Sequence, residues 1–166
     1  MAQIKITDNF LDPFDNAIIN EWIFGEFSWF IRPTTDIRNL YWNEKEIHVM
    51  QHTFIEDGIQ YSGFDDIIYI FKQKIPNFDD RIIRMNCNYV SPRWHWKHTP
   101  FHTDRTEPHE VFIYYLNGST GDTIIGKNRV KPKRNRLVQF DGEIEHCHKL
   151  NIKDDRFVFN FNLKHL

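Results

Sequence analysis

Cysteine is nearly absent from this chain of 166 residues: Cys87 and Cys147 are the only two. Two thiols are too few to staple a secreted disulfide scaffold, so a reducing, cytoplasmic compartment is expected. No apolar run approaches 18 residues, which excludes a transmembrane helix. The first twenty residues carry Asp8, Asp12 and Asp15 and no apolar stretch, so no signal peptide is expected. The formal charge is only −2, which gives no global attraction to nucleic acid or to an anionic membrane. Repeats, low-complexity tracts and Gly/Ser linkers are missing too, and with them any visible domain boundary. A single domain over 1–166 is the expectation, long enough to bury a full core without metal or disulfide support.

What is abundant points to strands. Aromatic residues reach 16%, fifteen of them Phe, while alanine occurs only as Ala2 and Ala17. Aromatic and β-branched enrichment favours a pleated sheet. The character of the chain changes near residue 80. Before it, Asp12-Pro13 offers an N-cap and first helical position, and Phe14, Ala17, Ile18 and Trp22 recur at helical spacing. Residues 64–74 behave alike, with Phe64, Ile67, Ile68 and Phe71 on one stripe and Pro76 as the stop. The first eighty residues therefore read as a helical support region.

From residue 81 onward short strands alternate with turns. The candidates are 82–90, 100–104, 110–117, 121–125, 136–140, 143–148 and 156–163, with Asn117-Gly118, Asn135 and Asp141-Gly142 between them. This spacing predicts a β-sandwich or small barrel with the helices packed on one outer face. In the last strand Phe157, Phe159, Phe161 and Leu163 form one apolar row, and Arg156, Asn160 and Asn162 share the other face with Val158. If the apolar row lies under the helices, Arg and Asn line the interior, and a polar interior is a cavity that binds something.

The chemistry concentrates in His102-Thr103-Asp104. On a strand, residues two apart project from one face, so imidazole and carboxylate can grip one ion. A further His from a distant strand would complete the 2-His-1-carboxylate set of non-haem Fe(II) sites. Glu143-Ile144-Glu145-His146-Cys147-His148 offers two candidates, and alternation points both histidines the same way. Cys147, between them, faces the other side and reads as a core residue. Ten positions after His146 comes Arg156, whose planar, permanently charged guanidinium suits bidentate binding of a carboxylate.

In that order, His102-x-Asp104, His146 and Arg156 resemble the Fe(II)/2-oxoglutarate-dependent dioxygenases, in particular the prolyl-4-hydroxylase-like branch. Further stretches carry the likeness: Pro100 to Asp104, Ile113-Tyr114-Tyr115-Leu116-Asn117, Gly121-Asp122-Thr123, Asn135 to Asp141, and Arg156 to Asn162. Asp8-Asn9-Phe10-Leu11 before a helix resembles the opening of such proteins. The resemblance implies a mainly β fold with N-terminal helices, whose double-stranded β-helix (jelly-roll, cupin-like) core covers 81–166. It implies Fe(II) held by His102, Asp104 and His146. It implies 2-oxoglutarate and O₂ as co-substrates, with ascorbate as a candidate reductant. Arg156 would take the distal carboxylate of 2-oxoglutarate, helped by Tyr115, with Asn88 and Thr123 as further cofactor contacts and Asn160 and Asn162 lining the pocket. A small residue often follows the distal His by two in this family, which aligns that His with His146 and leaves His148 as a departure. Arg156 stands where the classical prolyl hydroxylases carry Lys, and one Gly of their Gly-Gly-Glu-Thr turn is missing. The implied reaction is hydroxylation of an unactivated C–H, of peptidyl proline or another peptidyl residue, with release of succinate and CO₂. The alternatives are a hydroxylase of a free amino acid or small molecule, and a metal-binding cupin-like module without oxygenase activity.

Two other features invite a role. The stretch 89–98, with Arg93, Trp94 and Trp96, is either a substrate lid or a loop packed over the barrel mouth. Lys127, Arg129, Lys131, Lys133, Arg134 and Arg136 form either a solvated, charge-protected edge or an electrostatic dock. The sequence carries no signal for oligomeric state.

Overall fold

The computed structural model describes residues 4–25, 27–33, 48–90, 98–149 and 153–166. Their order begins with β1 (Lys5–Asp8), α1 (Pro13–Phe24), β2 (Phe30–Pro33), β3 (His48–Glu56) and β4 (Ile59–Gln60). Next come α2 (Asp65–Lys74), α3 (Phe78–Arg81) and β5 (Ile82–Val90). The rest is strand: β6 (Glu110–Tyr115), β7 (Thr123–Ile125), β8 (Asn128–Val130), β9 (Arg136–Asp141), β10 (His146–His148) and β11 (Arg156–Leu163). The large antiparallel sheet runs β1-β9-β6-β11-β5-β3-β2, with β4 paired to β3, and a smaller sheet runs β10-β7-β8. Together they make a jelly-roll core.

Both helices form where the sequence places them. Asp12 caps α1 by accepting from the backbone N–H of Phe14 (3.1 Å) and Asp15 (3.0 Å), and Pro13 follows it. Lys74, in the last turn of α2, pairs with Asp12 and Asp15 and ties the two helices together. Ile67, Ile68, Ile70 and Phe71 of α2 are buried against the outer face of the large sheet. Phe71 meets Phe161, Phe159 and Tyr114 with ring centroids 4.7, 5.0 and 5.3 Å apart. Burying one such ring contributes roughly 1.5–3 kcal/mol. Among the described residues, no helix is long and apolar enough to cross a membrane.

Alternation along β11 and β6 separates two cores. Phe159, Phe161, Leu163, Phe112 and Tyr114 belong to the layer under the helices. Val158, Val111, Ile113 and Tyr115 pack inward with Ile125, Val130, Val138 and Phe140, between the two sheets. The inner face therefore carries Arg156, Asn160 and Asn162, with Asn88 and Asn86 beside Val158 and Asn160 in the register with β5.

Two differences from the sequence reading have clear causes. The first eighty residues supply strands as well as helices. β3 escaped notice because both its faces mix types: Gln51 and Thr53 look inward, while His52 and Phe54 lie in the aromatic layer. Residues 100–104 form no strand, only an isolated bridge between His102 and His146. Pro100 has no N–H to extend a ladder, and Arg105 is drawn away to Glu56 and Asp57 on the β3–β4 turn.

Candidate active site

The bridge between His102 and His146 assembles the metal-ligating cluster. His102 N–H donates to the His146 carbonyl at 3.0 Å, and His146 N–H returns the bond at 2.9 Å. Asp104, two residues on, then faces both imidazoles: its Oδ1 lies 3.6 Å from His102 Nε2 and 3.7 Å from His146 Nε2. Ligand atoms of all three lie within 4.8 Å of one another.

The surrounding bonds fit these residues to a cation. His102 Nδ1 lies 3.0 Å from the Pro100 carbonyl, and His146 Nδ1 lies 3.3 Å from that of Ile144. A carbonyl only accepts, so each Nδ1 carries the proton and each Nε2 turns its lone pair to the centre. Asp104 Oδ2 accepts from Asn160 Nδ2 (3.0 Å) and Asn162 Nδ2 (2.9 Å), which leaves Oδ1 for an ion. Burial works to raise the Asp104 pKa, yet the neighbouring imidazoles of His102 and His146 and the Asn162 donor hold it well below the usual carboxylate range. Burial holds His146 below its ordinary value, opposed by Asp104. Two neutral imidazoles and one carboxylate, with the remaining directions open, match the donor preference of non-haem Fe(II).

Beside the cluster, β11 buries Arg156 at 4% exposure. Its Nη2 donates to Thr123 Oγ1 at 3.0 Å, Thr123 shares a 2.5 Å bond with the Tyr115 hydroxyl, and the guanidinium lies 5.6 Å over the Tyr115 ring. Its Nε has no partner, and no carboxylate pairs with it among the described residues. Burial depresses the guanidinium pKa, but from so high a value that the charge remains. An unpaired buried cation calls for an anionic ligand.

No protein-family model matches the chain, and no curated protein does either. Solved structures do. A viral collagen prolyl hydroxylase from Paramecium bursaria Chlorella virus-1, in complex with 2-oxoglutarate, superposes with a TM-score of 0.65 at 14% identity, covering 98% of this chain and 96% of that one. A prolyl hydroxylase from Trichoplax adhaerens, bound to a peptide fragment of hypoxia-inducible factor, gives 0.63 at 13% identity, covering 97% and 83%. The α-ketoglutarate-dependent epimerase SnoN from nogalamycin biosynthesis gives 0.66 at 8% identity, covering 98% and 76%. The chain has the fold of the 2-oxoglutarate- and Fe(II)-dependent oxygenases.

Within this oxygenase fold, the structure brings His102, Asp104 and His146 into one cluster and Arg156, Tyr115 and Thr123 into another. His148 is outside the metal-ligating cluster; it faces Thr99, and burial followed by the charge of Arg156 holds its pKa low. Asn88 shares the inner face opposite Val158, but no hydrogen bond joins it to the Arg156 group. Sequence reasoning had Asn160 and Asn162 as pocket lining; their hold on Asp104 is the added finding. Thr99, which receives the backbone N–H of His148 at 3.1 Å, went unnoticed, because nothing local marks a threonine that acts across 49 residues.

Cys147 and Cys87 are buried and unpaired, and burial pushes the Cys147 thiol up to about 11. In the basic hairpin, Arg136 and Lys133 pair with Asp8 of β1, while Lys127, Arg129 and Lys131 stay exposed, as a solvated edge would have them. Residues 91–97, with Arg93, Trp94 and Trp96, lie outside the described residues.

Proposed function

We propose that this chain is a non-haem Fe(II)- and 2-oxoglutarate-dependent dioxygenase, acting as one domain over 1–166, that hydroxylates an unactivated C–H of a peptidyl residue such as proline. One observation carries the reading: a buried guanidinium without a carboxylate partner among the described residues stands beside a three-donor cluster that fits Fe(II). A cupin-like module that merely stores a metal has no use for that cation.

Bound Fe(II) supplies O₂ activation, coupling decarboxylation of 2-oxoglutarate to succinate and CO₂ with transfer of one oxygen atom into the substrate C–H. His102, Asp104 and His146 hold the ion, and Asp104 offsets one of its two charges. Asn160 and Asn162 fix the Asp104 carboxylate by occupying its other oxygen. Arg156 anchors the distal carboxylate of 2-oxoglutarate through charge-assisted hydrogen bonds, which sets the orientation of the reacting end. Tyr115 and Thr123 hold the guanidinium in place. The layer Val111, Ile113, Val138 and Phe140 keeps water from the pocket walls. Ascorbate would restore iron oxidised in unproductive turnovers. A peptidyl substrate is favoured by the two prolyl hydroxylases among the similar structures, one of them with a peptide bound; SnoN keeps a small-molecule substrate as the second reading. Two buried free thiols accord with a reducing, cytoplasmic setting.

The test is anaerobic titration of the Fe(II)-loaded protein with 2-oxoglutarate, followed by the visible charge-transfer band of the complex. A saturable band that is lost in Asp104→Ala is expected. Folded, iron-loaded protein that neither binds 2-oxoglutarate nor shows the band overturns the reading. Succinate release over peptides and over free amino acids then separates the two substrate classes.

A further inference from the structure

His148 is a buried imidazole of the jelly-roll interior to which neither cluster gives a task. It follows His146 by two on β10, and the register sets it directly opposite Thr123 on β7. Side chains paired in this way start about 4.5–5.5 Å apart at Cβ, so the ring lies beside the buried group that Thr123, Tyr115 and Arg156 form. One edge of the ring is anchored: Nδ1 lies 3.5 Å from Thr99 Oγ1, and the backbone N–H of His148 donates to the same hydroxyl. The other edge is not. Nε2 is closed to solvent and has no hydrogen-bond partner among the described residues, and Arg156 Nε is in the same condition. Buried ring nitrogens are rarely left unpaired, because nothing replaces the lost water. Two such atoms at one buried, hydrogen-bonded group leave donor capacity for an acceptor that no described residue supplies.

Given the reading of this pocket as the 2-oxoglutarate site, we infer that His148 is a third anchor for the distal carboxylate, donating from Nε2 to the group that Arg156 pairs with. A carboxylate offers acceptors only, so the ring must present Nε2–H. Thr99 allows this tautomer: its hydroxyl accepts from the His148 backbone N–H and, lying 3.4 Å from the His148 carbonyl and 3.5 Å from Nδ1, can turn its one proton from the carbonyl to Nδ1. His148 is thus a co-substrate-binding residue, and Thr99 positions it.

Calorimetric titration of 2-oxoglutarate into the anaerobic Fe(II) protein tests the assignment. His148→Leu should weaken binding about ten- to hundredfold, the size of a charge-assisted hydrogen bond, with Fe(II) content unchanged. His148→Gln, whose amide nitrogen reaches the same place, should recover most of the loss. Wild-type affinity in His148→Leu overturns the inference. Arg156→Met separates this from failure of the underlying reading: if it abolishes binding while His148→Leu does not, only the third anchor falls. If neither matters, the 2-oxoglutarate site falls with it. Should His148→Leu not fold, the Zn(II)-substituted wild type gives a second readout. The His148 Nε2–H proton should become slow to exchange when 2-oxoglutarate is added, and an unchanged ¹⁵N signal refutes the contact.

Discussion

Replacing Asn162 with alanine removes one of the two amide donors on Asp104 Oδ2, the bond of 2.9 Å, and leaves the 3.0 Å bond from Asn160. The two losses are not equivalent. Asn162 has no exposure, so no solvent molecule can take the place of its N–H. Asn160 is half-buried, and water can enter where its amide stood. A hydrogen bond to a charged group contributes about 1.5–3 kcal/mol, and at about 1.4 kcal/mol per decade this is a factor of about ten to a hundred and fifty. The size agrees with the ten- to hundredfold effects usual for groups that orient metal ligands. Asn162→Ala should therefore weaken Fe(II) or Co(II) binding by one to two decades, and Asn160→Ala by less. The assay is competition for Co(II) against a chromophoric chelator, with thermal unfolding of the metal-free proteins to show that the sheet survives. Metal affinity within twofold of wild type in Asn162→Ala would falsify the reasoning. So would a greater loss in Asn160→Ala.

Acid should weaken the fold in part through His52. This residue is 6% exposed, bonded to Ser28 O (2.7 Å) and Ser62 Oγ (2.8 Å) among the rings of Phe27, Phe54 and Phe64. Burial holds its pKa below the ordinary 6.5, against the pull of the Ser28 carbonyl. The unfolded chain then binds the extra proton first, so this contribution is intact above about pH 6.5 and is lost as pH falls toward the folded value, at no more than about 1.4 kcal/mol per pH unit. Urea titrations between pH 5 and 7 should show a flatter stability profile in His52→Gln than in wild type; parallel profiles contradict the assignment. Gly142 lies against the buried ring of His109 so closely that a Cβ would clash with three ring atoms. Gly142→Ala should lose about 1–3 kcal/mol in urea unfolding, and His109→Ala in the same chain should return part of it. Arg105 ties the loop after Asp104 to Glu56 and Asp57. With Arg105→Ala, amide exchange at 104–107 should quicken while global stability falls by no more than about 1 kcal/mol per pair lost; unchanged exchange there refutes the tether.

Legibility in the sequence followed the range of the interaction. The strand 156–163 and its two faces could be read because Phe alternates with Arg and Asn over eight residues, and period two is a local signal. The Asp12 cap and the stripe of 64–74 were readable for the same reason. His102-x-Asp104 was visible as a spacing, but its geometry is set by a bridge to His146, 44 positions away, and not by a regular strand. Choosing His146 over His148 was beyond alternation, since both share a face; the contact to residues 99–102 separates them. β3 stayed hidden because each of its faces mixes residue types, so no apolar row repeats with period two. The hold of Asn160 on Asp104, across 56 residues, is tertiary from the start.

β11 joins two half-sheets, β1-β9-β6 on one side and β5-β3-β2 on the other, and it follows both of them along the chain. A polypeptide cut before Arg156 would hold two unsatisfied strand edges facing one gap, and it would lack the anion anchor and both amides on Asp104. Fold and chemistry are severed by the same cut. A synthetic strand of sequence 156–163 is then the natural complement for the shortened chain, supplying main-chain pairing to both edges and the site's missing side chains in one binding event.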